Sequence, residues 1–112
     1  MHELSVAQAI VRVAERHAAG RVVHAVDVRV GHMRQVVPSA LEFAFELVVH
    51  GTALEGAELR IEQVPVLGLC RDCGAQTQLD GFPFACGRCG GVRMSVVAGE
   101  ELLVDSLELE RT

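Results

Sequence analysis

Cys70, Cys73, Cys86 and Cys89 stand as C-x2-C, twelve intervening residues, C-x2-C, and they are all the cysteines of the 112-residue chain. Two thiolates two residues apart can face one ion across a tight turn, and two such turns complete a tetrahedron of sulfur. Gly74 and Gly90 each follow the second cysteine of a pair. Glycine takes the positive φ that a knuckle needs at little cost and leaves its N–H free to approach sulfur. Asp80-Gly81 in the intervening "LDGFPFA" predicts a hairpin tip. The pattern predicts a zinc ribbon over residues 66–95, with Zn(II) in a closed structural site rather than a catalytic one. Iron at four thiolates shares the ligand chemistry. Disulfides would require an oxidising compartment, and a redox C-x-x-C is usually single and set on a βαβ pattern.

Around this module the apolar spacing outlines a second body. Residues 4–19 carry Ala7, Ile10, Val11, Ala14 and Ala18 at helical intervals, with Arg12, Glu15 and Arg16 opposite and Gly20 at the end. Ser5 and Gln8 fit a capping box one turn after the first apolar residues. "VVHAVDVRVG" alternates as a strand, placing Val22, His24, Val26, Val28 and Val30 on one face and predicting a core or interface histidine at 24. A second helix follows over residues 39–50, with Pro38 before it, a Ser39–Glu42 capping box and Gly51 after it. "AELRIEQV" alternates again, burying Ala57, Leu59 and Ile61, and "EELLVDSLELE" forms a last strand. His17 and His50 fall near helix C-termini, where a cation is favourable, and His32 lies in a loop.

The predicted fold is therefore α+β: a small three-stranded sheet packed with two helices, interrupted by an inserted four-cysteine zinc-ribbon module. Residues 1–65 and 96–112 form one domain, because three strands and two helices are too few to make a core separately, and residues 66–95 form the other.

Net charge is −5, all ten basic residues are Arg, and Trp and Tyr are absent. Residues 66–95 hold only Arg71, Arg88 and Arg93 against Asp72 and Asp80. Such a chain attracts phosphate backbones weakly and offers little to stack on, which counts against a nucleic-acid-binding ribbon, the alternative reading together with a purely structural scaffold. No apolar run approaches the roughly 20 residues of a membrane span. "MHELS" has no secretory character, so a cytoplasmic protein is expected. No nucleophile–base pair and no GxxxxGK loop is present, so the chain is not expected to be an enzyme.

The first three residues hold a second metal chemistry. An α-amine, the amide nitrogen of residue 2 and the Nδ1 of a histidine there close five- and six-membered chelate rings on one ion. Such nitrogen-rich square-planar geometry favours Ni(II) or Cu(II). Met1 is expected to remain, because His2 is bulky, and Glu3 can add its own amide nitrogen or carboxylate.

Taken together, "MHE" at the start, the spacing of Gly31, Val37, Leu41, Phe43, Gly51-Thr52, Glu55-Gly56-Ala57 and Pro65, and the paired C-x2-C motifs resemble the HypA/HybF family of hydrogenase nickel incorporation proteins. The resemblance extends over essentially the whole chain. It implies a nickel metallochaperone that delivers Ni(II) as exchangeable cargo during [NiFe] hydrogenase maturation. The implied partners are a HypB-type GTPase and the hydrogenase large subunit, with no nucleic acid or membrane, and the implied state is monomer or homodimer. On this chain the nickel role falls on His2, with Met1 and Glu3, and structural zinc on Cys70, Cys73, Cys86 and Cys89. Many relatives carry histidines beside the cysteine pairs and this chain carries none, which counts against an exchange of histidine for cysteine on zinc here.

Overall fold

The computed structural model describes residues 2–81 and 83–111. Helix α1 spans Glu3–Ala18 and buries Val6, Ala7, Ile10, Val11, Ala14 and Ala18, while its charged residues face water. It starts without a side-chain cap, so the Ser5–Gln8 capping box does not form. It ends with Ala19 in the left-handed region (φ 51) ahead of Gly20 (φ 86). Strand β1 (Val23–Gly31) leads through a single 3-10 turn, His32–Arg34, to helix α2 (Pro38–Val48). Strands β2 (Glu58–Val64), β3 (Leu67–Cys70), β4 (Gln76–Gln78), β5 (Met94–Ala98) and β6 (Leu102–Leu109) follow.

One three-stranded sheet has the order β2-β1-β6, with β1 parallel to β2 and antiparallel to β6. The parallel pair is joined through α2, since parallel neighbours need a crossover connection. The early strand β1 and the last strand β6 are partners, so the two ends of the chain share one core, as the sequence predicted. Leu41, Phe45 and Leu54 are its largest fully buried side chains, packed with the α1 stripe and with Val23, Val26, Val28 and Val30. The opposite face of the sheet is a lattice of ion pairs. Arg60 donates to Asp27 (2.8 and 3.1 Å) and to Glu108 (3.2 Å), Arg29 to Glu62 (2.8 Å), and the Ser106 hydroxyl to Asp27 (2.8 Å). Pairs this exposed contribute little stability each.

His24 is not a core residue. The pairing of Val23 with Leu109 and of Ala25 with Glu108 leaves His24 as an extra residue in β1, a bulge that reverses the strand's inward alternation. Its ring is exposed and meets the Glu110 carboxylate at 2.5 Å. Val22, placed inward by the unbroken alternation, is exposed, and Val23 is buried.

The start of α2 also differs from expectation. Pro38 occupies the first turn, where a missing N–H costs nothing, and the N-cap is Val37, which has no side-chain acceptor. Ser39 and Glu42 therefore do not cap it. The acceptor comes from the other helix: Glu3 Oε2 receives the Val37 N–H at 3.2 Å.

The second sheet has the order β4-β3-β5, antiparallel throughout. Residues 79–81 and 83–85 link β4 to the second cysteine pair without strand structure, so the "LDGFPFA" hairpin tip is not formed among the described residues. The hairpin that does form, β3–β4, turns through the first cysteine pair. The molecule measures 54 × 26 × 16 Å, with a radius of gyration of 17.3 Å, against about 13 Å for a compact chain of this length. The ribbon thus projects from the helix-bearing sheet.

Candidate metal centres

The two C-x2-C segments fold alike. Gly74 donates to the Cys70 carbonyl and Gly90 to the Cys86 carbonyl, each at 2.9 Å. Cys70 donates to Ala75 O (2.9 Å) and Cys86 to Gly91 O (2.8 Å). Gly74 (φ 77) and Gly90 (φ 74) take the left-handed turn that the sequence assigned to them. Gly91 is needed for a different reason: a Cβ there would lie 2.9 Å from Asp72 Oδ2 and 3.2 Å from Cys89 Sγ. Asp72 is in turn paired with Arg93 at 3.1 Å, which pins the first knuckle to the second.

The four sulfurs lie within 4.8 Å of one another, with Cys70–Cys89 at 3.7 Å and Cys73–Cys86 at 3.6 Å. A tetrahedron with metal–sulfur bonds of about 2.3 Å has edges of about 3.8 Å, so the cage has the size of a single four-thiolate site. Among the described residues it is the one cluster of three or more His, Cys, Asp or Glu side chains able to share an ion. Backbone N–H groups point at sulfur, from Arg88 and Cys89 to Cys86 Sγ (3.3 and 3.5 Å) and from Gly91 to Cys89 Sγ (3.4 Å).

Those donors set the charge distribution. The N–H groups of Cys89 and Arg88 favour the Cys86 thiolate and bring its pKa down to about 6. Cys89 also receives an N–H, from Gly91, but crowding by the Cys70 and Cys73 sulfurs outweighs it and pushes the thiol up to about 12. At Cys73 the Ala75 N–H favours the thiolate, yet the Cys86 sulfur and burial prevail and raise it. Four sulfurs this close repel one another as anions, and a bound cation relieves that repulsion.

At the start of the chain, His2 is the N-cap residue of α1 (φ −75, ψ 117) and its side chain is exposed. Its carbonyl accepts the Val6 N–H at 3.2 Å, so the first helical turn anchors the carbonyl side of the residue. Met1 lies outside the described residues. The Glu3 carboxylate is engaged twice, by the Val37 N–H and by its own, and these hold its pKa below the ordinary glutamate value. The link from Glu3 to Val37 was not legible in the sequence, because its partners are 34 residues apart and no local pattern joins them. Replacing Glu3 with Ala is expected to speed hydrogen exchange at the Val37 amide and to lower the denaturation midpoint modestly. Gln is expected to recover part of both, and an unchanged Val37 exchange rate in the Ala variant would show that the carboxylate does not cap α2.

Among the described residues no histidine joins the four-cysteine cluster. His17 Nδ1 is 2.9 Å from the Val13 carbonyl within α1, and His50, just after α2, sits 3.5 Å from Glu55. His32 lines a cleft of about 420 Å³ between the 3-10 turn and the ribbon, with Met33, Val66, Leu79 and Phe84.

Comparison with known proteins agrees over the full length. The hydrogenase maturation factor HypA of Geotalea uraniireducens (strain Rf4) is 46% identical over 110 residues, covering 98% of this chain and 100% of its own. That of Nostoc punctiforme is 40% identical over 110 residues, covering 98% and 96%. The solution structure of the Ni metallochaperone HypA from Helicobacter pylori shares the fold with a TM-score of 0.68 at 24% identity, over 97% of both chains. A second solution structure, of a HypA protein, gives 0.71 at 25% identity over 98% of this chain and 97% of the other. No helix among the described residues is long and apolar enough to cross a membrane. The family model for hydrogenase/urease nickel incorporation metallochaperones, HypA, matches residues 1–109, and with relatives this similar along their whole length the chain belongs to that family, one of maturation factors rather than enzymes.

Proposed function

We propose that this chain binds Ni(II) at its N-terminus and delivers it during [NiFe] hydrogenase maturation, while Cys70, Cys73, Cys86 and Cys89 hold a structural Zn(II). The donors to nickel are the Met1 amine and the amide nitrogen and Nδ1 of His2, with Glu3 next in the chain. One observation carries the reading: α1 begins at Glu3. The first N–H groups of a helix have no intrahelical acceptor, so a metal that displaces the amide proton of residue 2 breaks no hydrogen bond of the helical ladder. The carboxylate of Glu3, occupied with Val37, stays with the fold.

The two centres then differ in the way a carrier requires. Four thiolates enclosed by two knuckles retain zinc. A nitrogen site at an exposed terminus gives its ion up to a competing ligand, here a HypB-type GTPase and then the hydrogenase large subunit. Copper binds such nitrogen donors more tightly than nickel by the Irving–Williams order, so selectivity comes from metal supply and from the recipient. The reading includes a nickel-binding domain of residues 1–65 and 96–112, a ribbon domain of 66–95, a cytoplasmic setting, a monomer or homodimer, and no nucleic-acid or membrane partner.

The test is nickel titration of zinc-loaded protein with a native, untagged N-terminus, followed by calorimetry and the d–d absorption band, with metal analysis distinguishing zinc from iron. Wild type is expected to bind about one nickel, less tightly as pH falls, because protons compete for an amine with pKa near 8 and for the amides. His2→Ala and a chain extended ahead of Met1 are expected to lose that nickel and keep the zinc. Equal binding by all three proteins, or by none, would reject the N-terminal site.

A further inference from the structure

Helix α2 has a second apolar face that none of the described residues covers. Leu41, Ala44 and Phe45 serve the core. Phe43 and Leu47, one helical turn apart and so on a common face, are 64% and 60% exposed. Half-buried Ala40 and the N-cap residue Val37, 54% exposed, continue the stripe towards the start of the helix. That start is bonded to Glu3, and Leu4 beside it is 51% exposed. Phe43 lies about 9 Å along the helix axis from Val37, so the stripe runs from the N-terminal metal donors outward. A helix apolar on both sides is normally covered on both, and contiguous exposed apolar side chains mark contact sites.

Charge decides what covers it. The helix has no basic residue, and its two acids, Glu42 and Glu46, are exposed without an ion-pair partner among the described residues. A second copy laid on this face would set glutamates against glutamates with no cation on either helix to offset them. We propose that the Val37–Phe43–Leu47 stripe docks an amphipathic segment of another protein, one with an apolar ridge flanked by Lys or Arg. Resting on the nickel-carrier reading above, that protein is the recipient of the metal, held where the donors of His2 are within reach.

The experiment measures binding of the full-length, zinc-loaded chain to the HypB-type GTPase of the same genome by calorimetry at low and high salt. Nickel stoichiometry is measured in parallel. Phe43→Ser with Leu47→Ser is expected to weaken GTPase binding at least about tenfold, the loss typical of central apolar anchors, with nickel uptake and thermal stability unchanged. Glu42→Arg with Glu46→Arg is expected to weaken it too and to remove its salt sensitivity. GTPase binding unchanged in the serine variant would overturn the docking surface and leave the nickel reading intact. So would a wild type that takes up nickel but ignores the GTPase, or one whose stripe pairs two copies, seen as a dimer that the serine variant dissolves. A wild type that binds the GTPase through the stripe yet takes up no nickel would support the surface and reject the carrier reading.

Discussion

Withdrawing the metal from the four-cysteine centre is expected to unfold the ribbon and leave the helix-bearing sheet standing. The continuous apolar core draws on α1, β1, α2, the turn after α2, β2 and β6, and takes no side chain from residues 66–98. Among the described residues of the ribbon the buried apolar side chains are Val66, Leu79 and the cysteines Cys70 and Cys86, too few to order three strands of four, three and five residues. On the proposed structural-zinc reading the missing free energy is the metal's, since structural zinc supplies on the order of 10–16 kcal/mol in small cysteine-rich modules at neutral pH. A strong chelator, or Cys70→Ser or Cys86→Ser, should collapse the amide dispersion of residues 67–98 while the helical circular dichroism of α1 and α2 persists. Acidification should act like the chelator, since protons compete with the metal for four thiolates. Ribbon amides that stay dispersed after full metal removal would show that the centre is ornamental to the fold, and loss of both sheets together would show that the core depends on it.

What the sequence made legible was what short spacing encodes. The two knuckles, their glycines, the stripe of α1 and the alternation of β2 are local patterns, and each appears where it was read. The departures come from partners distant in the chain. His24 was assigned to the core by an alternation that held in sequence and broke in space, because β6 leaves one residue of β1 unpaired. The Ser39–Glu42 box failed because Pro38 starts the helix a residue earlier, and because the acceptor that α2 uses comes from Glu3. Likewise the turn at Asp80-Gly81 did not make a hairpin, because β3 finds its second partner in β5, beyond the second cysteine pair. The cysteine cage could be read from the sequence because its ligands lie on two local turns. At the N-terminus the bond that ties Glu3 to α2 could not be read.

The junction between the two sheets is expected to tolerate no side chain at Gly31. This glycine has an ordinary extended backbone (φ −73, ψ 146), so its requirement is spatial and not conformational. A Cβ built there would stand 1.9 Å from the Gly99 carbonyl oxygen, 2.1 Å from its carbon and 2.6 Å from the Glu100 nitrogen. All three are backbone atoms, which no rotamer change can clear. The close approach exists because β1 and the segment entering β6 cross here, bonded from Gly31 N–H to Glu101 O (2.8 Å), from Met33 N–H to Gly99 O (2.8 Å) and from the Arg34 guanidinium to Glu100 O (2.7 Å). Gly99 is fixed on the other side, where a Cβ would meet Val66 Cα at 2.6 Å. Gly31→Ala must therefore separate the strands and lose those bonds, at a cost of about 3 kcal/mol or more, beyond ordinary overpacking. Gly56 makes the contrasting control: its φ is +79 but nothing lies within 4 Å of a Cβ there, so Gly56→Ala should cost only the left-handed penalty of about 1–2 kcal/mol. Urea unfolding of both variants, followed by α-helical circular dichroism with zinc in excess, separates the two origins. Equal losses would mean that the sheets yield at their crossing and that the ribbon is free to swing. A loss at Gly31 at least about twice that at Gly56 would mean that the backbone crossing locks the ribbon to the helix-bearing sheet.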